Sequence, residues 1–388
     1  MFSHERLTDL PEVFINHFFS HHLILDSPTR APLEFHKRLP GYEPTPLRSL
    51  PRLAKKLGVT SVWLKDESNR LALPAFKILG ASWAMHRSLE QRFGGAVSRW
   101  STIEEFKGVL EPYQPITVTC ATDGNHGRAI ARMAKLLGLE AHIYMPKGSV
   151  AARIQAIESE GATVVVGGTY DEAVAHAAKE MDAGAMLIQD TAWEGYETVP
   201  RWTVEGYSTL LWEIDEVLSQ HGERAPTLVL VQMGVGSFAH AVVQHYRREG
   251  LNERPVIVGV EPDDAACVLA SVKSGRIVHL PGEQHSIMSG LNCGTMSSFS
   301  LPILRRGINC FLTIPDDRAL EATRLLAAEG IVVGETGAAG LGGLIELVES
   351  DLAAQFRSRY EIGGSTRVLL ISTEGATDPA SYAKIIGQ

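Results

Sequence analysis

The 388-residue chain has no run approaching the ~18 consecutive apolar residues that a membrane-spanning helix requires, which argues against an integral membrane protein. Its opening, MFSHERLTDLPEVFINHFF, lacks the uninterrupted apolar core of a secretory signal, so a cytoplasmic location is expected. Cysteine is scarce. The four residues Cys120, Cys267, Cys293 and Cys310 lie far apart, with no CxxC and no zinc-ligand spacing, so neither a disulfide framework nor a metal site is expected. Reduced thiols are the ordinary state in the cytosol. There is also no basic stripe: 36 Lys and Arg stand against 45 Asp and Glu for a net charge of -9, and the cations are scattered. Nucleic acid is therefore not an expected partner. Low-complexity linkers and internal repeats are missing too, so domains have to be read from the alternation of elements.

What is present is an ordinary globular composition, 45% hydrophobic and 21% charged, in a chain long enough for roughly two or three domains. Short β-branched runs at 61–67, 115–122, 140–146, 162–168, 185–190, 227–234, 255–262 and 366–373 have the character of buried strands. Helix-length amphipathic segments lie between most of them, at 124–138, 150–160, 170–183, 203–221 and 236–250. This alternation predicts an α/β fold with mostly parallel sheets, whose strand carboxyl ends are the usual place for ligands. Residues 88–112 look polar and irregular and mark the expected start of a smaller α/β domain over 88–196. A larger domain is expected from 1–87 and 197–388.

Three strand ends carry chemistry. In LALPAFKILGASWA, residues 71–84, Lys77 is the only charge in an apolar run, and an ammonium is costly to remove from water unless it is paired or used. Pro74 marks the entry into a helix, and no acidic residue sits three or four positions from Lys77 to explain it as a surface ion pair. The second is TDGNHG, Thr122 to Gly127. Its glycines and Asn125 open a helix whose backbone N–H groups can hold an anion such as a carboxylate, although an Asp cap with a glycine turn would read the same way. The third is GVGSFA, where Gly234, Val235, Gly236 and Ser237 lead into a helix and let the backbone approach a phosphate. The spacing Gly234-x-Gly236-x-x-Ala239, with Glu261 at the end of the next strand, also fits a relaxed dinucleotide fingerprint, so a dehydrogenase is an alternative. That alternative leaves Lys77 and TDGNHG without a role. A lysine amine, a glycine-rich phosphate cradle and an Asn/Gly anion loop together are what pyridoxal phosphate requires.

From about Pro44 to the C-terminus the sequence resembles the tryptophan-synthase-β-like family, fold type II of the pyridoxal-phosphate enzymes. The resemblance is carried by PTPLRSLPRLAKKLG, LKDES, AFKILGAS, ATDGNHGRAIA, QDTAWEGYE, GVGSFA, GETGAAGLGG and STEGATDP. The aspartate ahead of GNHG, together with QDTAWEGYE, is similar to the diaminopropionate ammonia-lyase branch; dehydratases of this fold usually carry a small residue at the position of Asp123. The resemblance implies two open, twisted, mostly parallel sheets flanked by helices, with the cofactor between domains, and a homodimer. It implies Lys77 as the lysine that joins the cofactor, Asn125 at the pyridoxal hydroxyl, Gly234 to Ser237 at the phosphate, Ser372 at the ring nitrogen and Glu335 near the ring.

The expected reaction is elimination of ammonia from 2,3-diaminopropionate to give pyruvate and two ammonia. Thr122, Asp123, Gly124, His126 and Asp190 are expected to touch the substrate. Lys77 and Asp123 are the candidate bases for the two faces of the α carbon, and Asp123 or Asp190 the candidate holder of the leaving β-ammonium. The sequence departs from the broader family's pattern at Leu71, Ala72 and SIMSGLNCGTMSS (286–298), so serine, threonine or another β-substituted alanine stays open as substrate. A pyridoxal-phosphate protein without turnover is a further alternative. The approach of Cys267 to Cys293 in this region is a further expectation.

Overall fold

The computed structural model describes residues 11–251 and 253–387, so the first ten residues of the N-terminal stretch considered above lie outside it. Eleven strands form among these residues: β1 (Val13–Ile15), β2 (Leu47–Ser49), β3 (Ser61–Asp66), β4 (Thr117–Ala121), β5 (Glu140–Met145), β6 (Thr163–Val166), β7 (Met186–Leu187), β8 (Leu228–Gln232), β9 (Val256–Pro262), β10 (Cys310–Ile314) and β11 (Arg367–Ser372). Seven of them make one sheet in the order β1-β10-β9-β8-β11-β3-β2, and four make a second in the order β6-β5-β4-β7. The second sheet is wholly parallel, and in the first only the edge strands β1 and β2 run antiparallel. The expected α/β class with two mostly parallel sheets is the architecture observed.

The central strands are apolar along their whole length because helices cover both faces of the sheet. Side chains alternate between those faces: Val229, Val231, Leu369 and Ile371 enter one core, while Leu228, Leu230, Val368 and Leu370 enter the other. Val118, Cys120, Ile143 and Met145 build a third core against one face of the four-stranded sheet. The helix Lys77–Phe93 joins these cores, with Leu79 in the first and Ile78, Ala81, Ala84 and Met85 in the third. It crosses the helix Thr198–Gln220 at two glycines. A Cβ on Gly80 would fall 2.6 Å from Tyr207 Cε1, and one on Gly206 would fall 2.4 Å from the Leu79 carbonyl oxygen, so only hydrogen at both positions permits the contact.

Three sequence expectations need correction. Residues 88–112 are largely helical: Lys77–Phe93 runs on past 88, and Ile103–Leu110 follows with a Thr102 cap that accepts the Glu105 N–H. Its apolar residues Ile103, Phe106 and Leu110 are too few among charged neighbours to declare a helix, yet all three are buried. The run 185–190 is a strand only at Met186–Leu187, because the chain turns out of the sheet to deliver Asp190. Strands β1, β2 and β10 are absent from the sequence reading; β1 and β2 are three-residue edge strands, too short to show a period, and β10 is a buried apolar run without alternation.

The loop that leads from β3 to Lys77 is held by a buried charge cluster. Lys65 donates to Glu213 at 2.6 Å, Arg70 reaches Glu213 at 2.7 Å and Glu67 at 2.6 Å, and all four side chains are inaccessible to solvent. Thr45 donates to Glu67 and Tyr42 to Glu213, so two cations face two carboxylates with further donors filling the lone pairs. Arg70 and Leu73 then close a tight turn in which Leu71 and Ala72 take left-handed φ values of 53° and 59°. Removing one partner of such a cluster leaves an uncompensated buried charge. Glu213→Ala is expected to lower the unfolding free energy by about 3–5 kcal/mol, read as a fall in the urea midpoint.

Candidate active site

A cavity opens where the carboxyl ends of both sheets converge. From the seven-stranded sheet come Gln232 to Ala239 after β8 and Thr373 and Glu374 after β11; from the four-stranded sheet come Ala121 to His126 after β4 and Asp190 beyond β7. Lys77, Arg153, Tyr170, Leu291, Cys293 and Thr336 complete much of the wall. Of the residues expected from the sequence, the structure brings together Lys77, Thr122, Asp123, Gly124, Asn125, His126, Asp190, Gly234, Val235, Gly236 and Ser237.

Lys77 is the first residue of its helix, and its Nζ donates to Asp190 Oδ2 at 2.7 Å. The partner absent at helical spacing is thus found 113 positions along the chain. Burial alone would lower the pKa of the ammonium, but Asp190 outweighs it and holds the value above that of a free lysine. Burial likewise opposes charge on Asp190, and the Lys77 ammonium followed by His126 keeps it ionised below the usual carboxylate range. His126 donates from Nε2 to the Ile188 carbonyl at 2.7 Å, which leaves Nδ1 3.8 Å from Asp190 Oδ2.

The TDGNHG turn is organised by one hydroxyl. Thr122 Oγ1 accepts from Gly124 N at 2.9 Å and Gly127 N at 3.1 Å, and Gly124 takes φ +150°, a backbone that a side chain would strain. Asp123 on this turn has its pKa pushed up to about 6, chiefly by burial, with Arg153 opposing the rise and Asp190 adding to it. Asn125 opens the following helix and donates its side-chain amide to Glu374. Burial raises the Glu374 carboxyl, against the pull of Arg153 and Asn125.

The glycines of this loop let its neighbours pack directly against the backbone. A Cβ on Gly234 would lie 3.0 Å from Cys293 Sγ and 3.2 Å from the Gly290 oxygen; Gly236, at φ +89°, has Leu304 Cδ1 at 2.9 Å from the same position. The helix Ser237–Tyr246 starts here, and its first-turn N–H groups have no intrahelical carbonyl. Because the Ser237 hydroxyl donates to the Asp190 carbonyl at 2.9 Å, the backbone supplies the anion donors.

Two expected residues are placed elsewhere. Ser372 is the last residue of β11, fully buried, and its hydroxyl turns to the Glu374 carbonyl at 3.4 Å; Thr373 stands on the wall instead, held by Gln232 Nε2 at 3.0 Å. Glu335 opens its helix and accepts from Ser381 Oγ at 2.7 Å, while its neighbour Thr336 reaches the cavity. Sequence reasoning passed over Glu374, Arg153 and Tyr170. Glu374 sat in the STEG motif already quoted, whereas nothing local distinguishes Arg153 from other helix arginines or Tyr170 from other helix tyrosines. Cys267 and Cys293 are both free and both lie against Gly234. Glu261, the candidate ribose acceptor, has both oxygens taken by Val268 N at 2.8 Å and Leu269 N at 2.9 Å. It serves the helix Cys267–Ser274 and lies off the wall, so the dinucleotide reading is corrected here.

Residues 38–374 match the pyridoxal-phosphate dependent enzyme family. The chain belongs to that family. It is 38% identical to the diaminopropionate ammonia-lyase of Salmonella typhimurium over 91% of this chain and 90% of that one. Its identity to the enzyme of the same name from Escherichia coli strain K12 is 36%, over 94% and 92%. The crystal structure of the Escherichia coli enzyme in complex with D-serine superposes with a TM-score of 0.87 at 34% identity, covering 97% of both chains.

Pyridoxal phosphate is the cofactor, and the cavity fits it. The Gly234–Gly236 turn and the N-terminus of the helix Ser237–Tyr246 suit a phosphate, and Asn125 and Lys77 put an amide and an amine on the same wall. The purified protein is expected to be yellow. Borohydride reduction followed by peptide mass mapping should place the label on Lys77, and Lys77→Ala should abolish the labelling; label on another lysine would overturn the placement.

Proposed function

We propose that the chain eliminates ammonia from 2,3-diaminopropionate, releasing pyruvate and two ammonia as a carbon–nitrogen lyase. The observation that carries the substrate choice is Asp190, a buried carboxylate whose cation is the same amine that the cofactor requires. When Lys77 no longer serves as a free ammonium, a substrate β-ammonium supplies the positive charge that Asp190 needs. A serine or threonine hydroxyl supplies none. The resemblance to the two curated ammonia-lyases supports the same choice.

Bound pyridoxal phosphate supplies the electron sink for charge developing at the α carbon. Lys77 removes the α proton of the L isomer from its own face, and Asp123 serves the opposite face for the D isomer. Asp190 holds the β-amino group as an ammonium, the form in which it can leave. Thr122, Gly124 and His126 shape the substrate side, and Asn125 with Gly234 to Ser237 holds the cofactor. Thr336 and Thr373 stand on the wall where Glu335 and Ser372 were expected, with Glu374 beside Asn125.

We further propose a cytoplasmic homodimer, with a large domain over 1–87 and 197–388 and a smaller one over 88–196. The four free cysteines suit a reducing compartment, and the dimer rests on the family resemblance. Light scattering should give about twice the 42.2 kDa chain mass.

Pyruvate release from diaminopropionate, serine, threonine and other β-substituted alanines decides the substrate. Diaminopropionate is expected to give the highest kcat/KM, and a clear preference for serine or threonine would sink the ammonia-lyase reading while sparing the cofactor. Asp123→Asn is expected to cut activity on the D isomer by a factor on the order of 10²–10⁴ with a smaller loss on the L isomer. Since the base form of Asp123 predominates above about pH 6 in the free enzyme, D-isomer kcat/KM should fall as pH drops through that value, and the Asn variant should lack this limb.

A further inference from the structure

Two buried polar atoms beside the Lys77–Asp190 pair have no hydrogen-bond partner among the described residues. His126 Nδ1 is on the aspartate's side, 3.8 Å from Asp190 Oδ2. The Tyr207 hydroxyl is on the lysine's side. Burial pushes this phenol up to about 12, the Lys77 ammonium opposes the rise and Asp190 adds to it. A buried hydroxyl without a partner is costly, so one kept at this point needs a reason.

The crossing of two helices puts the phenol there. Tyr207 follows Gly206 on the helix Thr198–Gln220, and its Cζ is 2.8 Å from the point where a Cβ on Gly80 would stand. A helical side chain covers the turn N-terminal to its own Cα, so one at position 80 would lie over Phe76 and Lys77. The ring of Tyr207 fills that place instead. It packs on Phe76 at 4.7 Å between centroids, and Lys77 Nζ lies 5.9 Å from the same Phe76 ring. Phe238, from the helix after the glycine loop, meets Tyr207 edge-on at 5.9 Å. Phe76 and Phe238 give the phenol apolar walls, and neither side chain can bond its oxygen.

The chemistry gives this hydroxyl a use. In the resting pair Asp190 serves Lys77 at 2.7 Å. In the lyase reading the substrate's β-ammonium takes that carboxylate, yet Lys77 has to become a cation as it accepts the α proton. The C–H electron pair passes to the α carbon and its electron sink, and the proton goes to the Lys77 nitrogen. The new ammonium then has three N–H donors while its former anion is in use. A hydroxyl oxygen beside it accepts one of them and leaves the nitrogen lone pair free to face the α carbon beforehand. Such a bond is weaker to a neutral amine than to an ammonium, so it favours the charge that develops in the proton transfer.

We propose that Tyr207 is a positioning residue for Lys77, whose N–H its hydroxyl accepts while Asp190 holds the substrate's β-ammonium. The inference rests on the lyase reading and adds a second partner for the base on the L face.

Tyr207→Phe removes only the oxygen and keeps the ring against Gly80 and Phe76. The urea midpoint of the apoenzyme should stay the same or rise, because a buried hydroxyl without a partner is lost. In the holoenzyme, with cofactor occupancy matched by absorbance, release of deuterium from α-deuterated L-diaminopropionate into water should slow by about 10- to 100-fold with little change in KM, the worth of a hydrogen bond to a charge. L-Alanine has no β-ammonium and leaves Asp190 to Lys77, so its deuterium release should slow much less. A lower midpoint, or a loss with diaminopropionate no larger than the loss with alanine, would overturn the proposal and give Tyr207 a packing role. Deuterium release reports removal of the α proton whether or not ammonia leaves. A wild-type enzyme that releases deuterium from diaminopropionate but forms no pyruvate would therefore remove the lyase reading, while the comparison with alanine still decides the role of Tyr207.

Discussion

The site is organised around a single ion pair between the two sheets. Lys77 stands at the head of a helix that follows β3 of the seven-stranded sheet, and Asp190 follows β7 of the four-stranded sheet, yet their charged atoms are 2.7 Å apart. A buried carboxylate without a cation is expensive, and so is a buried ammonium without an anion. Each therefore requires the other, and the pair needs both sheets to present their carboxyl ends to one cavity. Asp190 is further tied in through its carbonyl, which accepts from Ser237 of the glycine loop. Lysine, acidic partner and phosphate cradle are thus joined by direct bonds.

Holding an ammonium at that point requires rigid support behind it. The helix Lys77–Phe93 is set by the glycine-to-glycine crossing at Gly80 and Gly206, which brings it against the long helix Thr198–Gln220 with no side chain between. The same long helix contributes Glu213 to the Lys65–Arg70–Glu67 cluster beneath the loop that leads into Lys77. One helix therefore anchors both the loop before the lysine and the helix after it. The left-handed Leu71 and Ala72 in this loop are strained for side chains that favour negative φ, and the cluster before them and the packed helix after them hold the turn.

Charge is distributed along the cavity in a way that separates functions. Asp190 stays ionised because its cation touches it, whereas burial raises Asp123 to about 6 against the opposing pull of Arg153, which bonds the Asp123 carbonyl. Two carboxylates on one wall thus differ in proton affinity, the condition under which one can hold a cation while the other exchanges a proton near neutrality. Glu261 illustrates the opposite case. Its burial also raises it, to about 8, but both its oxygens accept backbone N–H groups and its place off the wall leaves it a helix anchor.

Sequence alone determined the alternation of buried strands and helices, hence the α/β class, because a strand covered on both faces must be apolar throughout and a covering helix must be amphipathic. It also determined the three local motifs, since a charge in an apolar run, a turn of Gly and Asn, and a glycine loop before a helix each carry their reason within a few residues. Only the tertiary structure decided which of two adjacent residues reaches the cavity: Thr373 and Thr336 do so in place of Ser372 and Glu335, because the turn of a strand end or a helix start selects the face, and no local pattern reveals it. Asp190 as the partner of Lys77, Glu374 beside Asn125, and Arg153 laid across Gly124 were likewise decided there. Those contacts join positions about 30 to 250 residues apart, and their energies depend on burial and on charges that meet only when the two sheets face each other.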